Sequence, residues 1–333
     1  MALNGRKALY TRKAPHSRKA PTRALSLVTA TGFAAASVLM VPGVSEAKAA
    51  ASPAFPAHYA APYLQIDSSD AGDLAADKKA SGLKYYTLAF LTPKSGCTPE
   101  WEDNGDSVSA FTSQVKALQA AGGNVIPSFG GESGGELAEK CTSVSSLEAA
   151  YANVVSTYGV TRLDFDIEGS VLDNTSANTR RDEALADLQK ADPSVQIDWT
   201  IPVDPTGLES DALTLLKGAK SAGVKTNLVN IMTMDFGDGQ NALKDAESAA
   251  TATEKQLAGI YTTLSSSQVW GTLGLTPIAG KNDDNENFTQ ANATTLEAFA
   301  ASKGVQELAF WEVDQYDKPL GYAYSKIFNK ITS

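Results

Sequence analysis

Eight short runs rich in β-branched and aromatic residues recur along the chain, each followed by a stretch long enough for a helix. They are "HYAAPYLQI" (His58–Ile66), "YYTLAFL" (Tyr85–Leu91), "NVIPSF" (Asn124–Phe129), "RLDFDIE" (Arg162–Glu168), "QIDWTIPV" (Gln196–Val203), "LVNIMTMDF" (Leu228–Phe236), "LGLTPIA" (Leu273–Ala279) and "ELAFWEV" (Glu307–Val313). Their starts lie roughly 25 to 45 residues apart, the span that a crossover helix with its loops requires. The intervening segments read as helices. "SVSAFTSQVKALQAAGG" stops at Gly122-Gly123, "SSLEAAYANVVSTYG" begins on a serine cap and ends at Gly159, and "DALTLLKGAKSAG" and "TTLEAFAASKG" end at Gly223 and Gly304. "NALKDAESAATATEKQLAGIYTTL" is long and amphipathic. Strands alternating with helices imply a parallel sheet covered by helices, and eight such units close into an α/β fold of the (β/α)8 TIM barrel type. An open, doubly wound sheet is the competing arrangement, but no G-x-G-x-x-G follows the first run to mark a dinucleotide site. With 333 residues, 43% of them hydrophobic, the chain is long and apolar enough for one barrel. No repeat of whole units and no second domain stands out.

The first 49 residues differ from the rest. Arg6, Lys7, Arg12, Lys13, Arg18, Lys19 and Arg23 form a basic run without acids, "ALSLVTATGFAAASVLMVPGV" follows as an apolar, small-residue stretch, and "SEAKAA" supplies an A-x-A spacing at Ala47 and Ala49. This order is that of a secretory signal peptide, which predicts cleavage and a secreted, extracellular protein. A membrane anchor is the alternative, because the apolar stretch is about as long as a spanning helix. On the first reading residues 50–57 are a short linker and 58–333 a single catalytic domain, monomeric and free of the membrane once cleaved.

Removing the leader takes away eight basic residues and one acid, so the net charge goes from −10 to −17. Such a chain repels phosphate backbones and anionic membranes, which makes nucleic acid a poor partner. Cys97 and Cys141 are the only cysteines; in an exported chain the pair reads as one disulfide, and two buried thiols are the other possibility. His58 is the only histidine after the leader, which excludes a histidine metal cluster and a Ser-His-Asp triad. No metal and no cofactor is expected, and any chemistry must run on carboxylates and hydrogen bonds.

"RLDFDIEG" places Asp164, Asp166 and Glu168 at every second position, with Leu163, Phe165 and Ile167 between them. In a strand these two sets face opposite ways. In a barrel the apolar set faces the helices and the acids face the interior, leading to the carboxyl-terminal rim where barrel enzymes act. Carboxylates crowded there raise one another's pKa, so a rim glutamate can hold a proton as a general acid does. A solvated strand face or an oxygen-ligand cation site are the other readings of such a pattern.

These residues resemble a known family. "LDFDIEG" is similar to the core of the D-x-x-D-x-D-x-E signature of family 18 glycoside hydrolases, the chitinases and their relatives. "SFGG" (Ser128, Phe129, Gly130, Gly131) resembles the family's S-x-G-G, "MTMDFG" its M-x-Y-D, and Trp311 of "FWEVDQYD" the tryptophan that floors the sugar subsite. The four motifs fall on runs three, four, six and eight. The resemblance implies a retaining, endo-acting chitinase on β-1,4-linked N-acetylglucosamine, with chitin or its oligosaccharides as partner. Glu168 would protonate the leaving oxygen, the substrate's own acetamide would attack, Asp166 would orient the acetamide, and Asp164 would share a proton with Asp166. Run seven has no acid to serve as a protein nucleophile, which agrees with an internal one.

The sequence departs from the pattern twice. Thr161 stands at the signature's first Asp, and Met234 at the tyrosine of M-x-Y-D. A thioether donates no hydrogen bond, and losing a positioned donor costs on the order of 2–4 kcal/mol of transition-state stabilisation. Asp235 matches the acid that follows, as a sugar contact or as a strand-end cap. Tyr63 and Phe90 read equally as subsite walls or core. Trp101, Trp199 and Trp270 read as packing, with further subsites as the alternative, Glu132 as a solvated rim acid, and "KNDDNENF" (Lys281–Phe288) as a solvated loop, with a place at the cleft or a weak cation site as the alternatives. Two rival functions share these motifs: an endo-β-N-acetylglucosaminidase acting on glycan cores, and a non-catalytic carbohydrate-binding barrel.

Overall fold

The computed structural model describes residues 52–67, 74–102, 104–133, 135–237 and 241–332. The leader read at 1–49 lies outside them. Among the described residues the apolar runs become strands: β1 (Tyr59–Ala60), β2 (Tyr63–Gln65), β3 (Tyr85–Ser95), β4 (Thr98–Trp101), β5 (Asp106–Ser107), β6 (Asn124–Gly130), β7 (Arg162–Asp166), β8 (Gln196–Pro202), β9 (Thr226–Met232), β10 (Leu273–Leu275), β11 (Gly280–Lys281), β12 (Asn287–Phe288) and β13 (Glu307–Leu308). Parallel pairing runs β3–β6–β7–β8–β9–β10–β13. The first run closes the ring from both sides: β1 pairs with β13, and β2 pairs with β3. The fold is thus the α/β (β/α)8 barrel. The expected single strand His58–Ile66 is interrupted at Ala61–Pro62, and Pro62, with no N–H, accepts from Thr87 instead. β10 and β13 are shorter than their runs, but beyond them the two runs stay paired: the Trp311 amide donates to the Pro277 carbonyl at 3.0 Å and the Ala279 amide to the Trp311 carbonyl at 2.8 Å.

Helices fill the crossovers. Val144–Tyr158 starts on the Ser143 cap and ends on a left-handed Gly159, and Gln290–Lys303 starts on a Thr289–Asn292 capping box. Thr175–Ala191 is a 17-residue helix that hydropathy did not mark, because its buried side is built from Ala177, Ala184, Leu185 and Leu188 among many polar residues. A hairpin was also unforeseen: β3 runs on to Ser95 and folds back antiparallel as β4, which pairs with β5. Residues read as a free linker are docked. Phe55 lies 4.7 Å from the Tyr85 ring and 4.5 Å above the Arg162 guanidinium, and Asn124 donates to the Pro53 carbonyl at 2.7 Å. Aromatic and cation–π contact explains why this stretch packs across the amino-terminal end of the barrel.

Register places polar residues side by side inside the ring: Ser128 opposite Asp164, Asp164 opposite Asp198, Asp166 opposite Thr200, and Thr200 opposite Asn230. The alternate residues point out to the helices. Phe165 packs between Phe129 at 5.4 Å, Tyr151 at 5.1 Å and Trp199 at 5.6 Å. Trp101 and Trp199 are fully buried and Trp270 nearly so, so all three are packing.

Candidate active site

A cleft of about 400 Å³ opens at the carboxyl-terminal rim of the barrel. Asp166 and Glu168 line it from the end of β7, Tyr63 from β2, Phe90 from β3, and Met234 and Asp235 from just beyond β9. Phe90 and Trp311 stack at 5.6 Å with an 8° interplanar angle, and Tyr63 stands 5.9 Å from each. These three rings form an apolar floor of the kind on which a sugar face stacks. The question left open for Tyr63 and Phe90, wall or core, resolves as both: each is almost wholly buried, and each borders the cleft.

Asp164, 3% exposed, sits beneath the cleft and does not line it. Its Oδ2 accepts from Ser128 at 2.6 Å and lies 3.2 Å from the Tyr63 hydroxyl, and its Oδ1 accepts from Thr200 at 2.7 Å. Burial pushes its pKa up to about 7, although the Ser128 and Thr200 hydroxyls favour the charged form and oppose that rise. Asp166, 5% exposed, shares a hydrogen bond with Glu168, and its Oδ1 is buried with no partner. Burial, the Glu168 charge and then the Asp164 charge hold the Asp166 carboxyl well above the carboxylate range. Glu168, just past the strand and half-buried, is raised by burial, lowered by its bond to Asp166 and raised again by Glu132. Among these three acids the hydrogen bond joins Asp166 to Glu168. Asp164 already has both oxygens occupied by hydroxyls.

The "SFGG" residues serve the site from behind. Ser128 is fully buried, faces Asp164 and does not reach the cleft, so it is a positioning residue and not a substrate contact. Gly130 and Gly131 make no wall either. A Cβ at Gly130 would fall 2.0 Å from the Asp166 carbonyl oxygen, and one at Gly131 would fall 2.6 Å from the Phe90 ring. Both residues have positive φ, and the Gly131 amide donates to the Asp166 carbonyl at 3.1 Å. Only glycine permits this approach of β6 to the end of β7.

Asp235, exposed and in a left-handed backbone conformation, accepts from the Asp283 and Asp284 amides at 2.8 and 3.3 Å. It thus ties the loop after β9 to "KNDDNENF", and Asp283 of that loop borders the cleft. Met234 lines the cleft, as do Met232 and Ile278. Other groups in the site escaped sequence reasoning. Thr276 donates to Asn230 at 2.7 Å, Asn230 to Thr200 at 3.1 Å, and Thr200 to Asp164. This relay links the seventh barrel strand to the buried acid. A polar residue in the inward parity of a buried strand was the signal available for it. Glu102 arrives on the unforeseen hairpin, its amide bonded to the Phe90 carbonyl at 3.0 Å. Cys97 and Cys141 form a disulfide that clips this hairpin to the segment after β6. Among the described residues no group of three or more His, Cys, Asp or Glu is arranged to hold a metal ion.

No family model matches the chain. A probable bifunctional chitinase/lysozyme of Escherichia coli is 32% identical over 308 residues, which cover 87% of this chain and 34% of that protein. Endochitinase 11 of Metarhizium anisopliae is 32% identical over 286 residues, covering 81% of this chain and 55% of that one. The chain thus spans about a third and about half of these curated relatives. The catalytic domain of a hyperthermophilic chitinase from Pyrococcus furiosus is 31% identical, with a TM-score of 0.78 over 85% of this chain and 97% of that domain. Catalytic-site mutants of active domain 2 of a thermostable chitinase from Pyrococcus furiosus, 31% identical with a TM-score of 0.78, have been solved in complex with chito-oligosaccharides. A GH18 chitinase from Chromobacterium violaceum, 14% identical, shares the fold with a TM-score of 0.61.

Proposed function

The chain belongs to the family 18 glycoside hydrolases, and from that premise we propose that it is a secreted, endo-acting chitinase that cleaves β-1,4 links between N-acetylglucosamine units with retention. The observation that carries the proposal is the pairing of Asp166 with Glu168 beside an aromatic floor, with one Asp166 oxygen buried and open. A sugar stacked on Trp311 and Phe90 brings its glycosidic oxygen to Glu168, which protonates it. The 2-acetamido oxygen attacks the anomeric carbon, closing an oxazolinium ring as the leaving sugar departs. The open Asp166 oxygen accepts the acetamide N–H and faces the positive charge that develops there. Glu168, now a carboxylate, takes a proton from water as the water opens the ring, and its proton is restored. Asp164 lies beneath that exchange in its cradle of hydroxyls, its own carboxyl pushed up to about 7 by burial.

Export rests on the leader composition and fits the Cys97–Cys141 bridge, which needs an oxidising compartment. Endo action agrees with the name of the Metarhizium relative. Met234 in place of a donor lowers turnover on this reading, because the Tyr63, Thr200 and Thr276 hydroxyls are engaged in the network that ends on Asp164.

The test is a side-by-side assay on N-acetylchitohexaose and a high-mannose glycopeptide, with the anomer of the earliest product read by NMR. Cleavage of the hexamer giving the β-anomer is expected. Activity on the glycopeptide alone would make it an endo-β-N-acetylglucosaminidase, and binding without cleavage a carbohydrate-binding barrel.

A further inference from the structure

A groove that shares no residue with the cleft runs between the helices Thr175–Ala191 and Ser210–Ala222. Its inner part, about 240 Å³, is lined by Asp182 of the first helix and Gly218 of the second. Its outer part, about 400 Å³, is lined by Asp173, Asp204, Glu209 and Asp211, and Asp173 and Asp211 border both parts. Among the described residues no lysine, arginine or histidine lines either part. Helix starts favour acids, which accounts for Glu209 at the cap and Asp211 in the first turn of the second helix. It does not account for Asp182, which lies well inside its helix. Asp182 is 3% exposed, and its Oδ1 is buried with no hydrogen-bond partner. Burial pushes its pKa up to about 7; the Arg181 charge opposes the rise, and the Glu136 and Glu183 charges add to it. Arg181 is itself paired with Glu136 at 3.3 Å. The Asp182 carboxyl faces the second helix: a Cβ at Gly218 would stand 3.2 Å from its Oδ2. Glycine weakens a helix interior, and here its missing side chain leaves the carboxyl open to the groove. At the mouth, the Asp204 charge, then slight burial and the Asp211 charge, raise the Glu209 carboxyl, so like charges crowd there.

We propose that this groove binds a linear aliphatic polyamine, with one ammonium donating to Asp182 in the slot beside Gly218 and another lying among Asp204, Glu209 and Asp211 at the mouth. A buried acceptor without a donor and a mouth of uncompensated acids both call for a ligand that brings N–H groups and positive charge. Two turns of helix, about 10 Å, separate Asp211 from Gly218, so the ligand must carry charge at two points along a chain. Leu172 and Leu215 also line the inner part and suit the methylenes of such a chain. A metal ion fits less well: none of these acids belongs to a ligand set of three, and a single ion does not reach both parts. The site lies outside the reaction described above, and its test does not depend on that reaction.

Binding is measured by titration calorimetry on the full chain at low ionic strength, with the terminal diamines of butane and octane and with calcium chloride. The two diamines carry the same charge and differ in reach. The octane diamine is expected to bind about tenfold tighter than the butane diamine. Asp182→Asn keeps the shape, removes the buried charge and is expected to weaken the longer diamine about tenfold. Gly218→Ala keeps every charge, fills the slot and is expected to weaken it about fivefold. Circular dichroism checks that each variant is folded; should Asp182→Asn fail to fold, Gly218→Ala and the pair of diamines decide the matter. Diffuse attraction of a cation to an acidic chain responds neither to reach nor to one added methyl group. Equal affinity for the two diamines overturns the proposal, and so does unchanged affinity in the folded variants. Calcium binding tighter than that of the octane diamine and lost in Asp182→Asn would make the groove a metal site and overturn it as well.

Discussion

At the amino-terminal end of β7, Arg162 lies 3.6 Å from Asp198, donates to Gln196 at 3.0 Å and to the Tyr59 hydroxyl, and is roofed by Phe55. At the other end of the same strand, Asp164, Asp166 and Glu168 crowd together with no base among them. Both clusters are inside the barrel, and both put acids where water is scarce. The difference is the counter-charge. An acid matched to a buried guanidinium is fixed in one ionisation state and serves the fold. Acids matched only to hydroxyls and to each other exchange a proton at small cost, which is what general acid–base chemistry requires. The comparison yields an expectation for each end: substitutions at the upper cluster should change rate more than stability, and substitutions at the lower cluster the reverse.

Glu168→Gln gives the largest effect on that reading. The amide keeps the shape and loses the proton, so kcat on chito-oligosaccharides should fall about 10²- to 10⁴-fold. Because Glu168 is half-buried at the rim, thermal stability should hardly move, and calorimetry beside the rate assay checks this. Near-normal turnover would mean that another group is the acid. Arg162→Met is the counterpart. It leaves Asp198 and Glu307 buried with no guanidinium, and breaking a buried pair costs about 3–5 kcal/mol. Urea unfolding should show that loss, while kcat per folded molecule changes much less. A stable, inactive Arg162→Met protein would erase the distinction between the two ends.

How far each end was readable from sequence follows the same line. The upper acids announced themselves because three like charges at period two are expensive in a buried strand and have few explanations. Strand order, helix stops at Gly159, Gly223 and Gly304, and the pairing of the cysteines were legible for similar reasons: each rests on a local pattern. Contacts made across the barrel were not. Arg162 opens the same motif, yet nothing local says that it meets Asp198 and Glu307 from other strands, or that Phe55 covers it. Ser128 and Gly130 stand out in the sequence as part of "SFGG", yet nothing local says that Ser128 donates to Asp164 or that Gly130 lets β6 approach the Asp166 carbonyl. Glu102 was invisible because the hairpin that carries it arises from strand pairing, not from periodicity.

Ser128→Ala sharpens the comparison at intermediate size. It takes one hydroxyl donor from the buried Asp164 carboxyl, worth about 1–3 kcal/mol where the acceptor is left short of partners. The Ser128 bond favours the ionised form of Asp164, so its loss raises a pKa already near 7. The limb of the kcat/KM–pH profile governed by the Asp164–Asp166–Glu168 set should therefore move to higher pH. A lowered rate with an unmoved profile would make Ser128 a packing residue only.

The smallest effect tests the lower cluster without breaking it. Glu307 is 2% exposed, and burial, with the Asp198 charge behind it, pushes its pKa up to about 8 from an ordinary 4.5, although Tyr59 and Arg162 oppose the rise. Arg162 thus neutralises one of two acids, and the second keeps its proton. In the unfolded chain Glu307 ionises near the ordinary value, so between these two pH values the folded state binds the extra proton. Stability contributed in this way is complete at the acid end of the window and is lost as pH rises through it. Asp164, Asp182 and Glu312, each raised to about 7, and Asp166, raised well above its ordinary value, act in the same direction, so the Glu307 share is read as the difference between the wild type and a Glu307→Gln variant. Glu307→Gln carries no ionisable proton and should lose less melting temperature across that window than the wild type, by a few degrees at most. Identical slopes would place the balancing charge on Arg162 alone. The lower cluster would then be a fully matched ion network, and the contrast with the proton-sharing upper end would be sharper than the Glu307 environment implies.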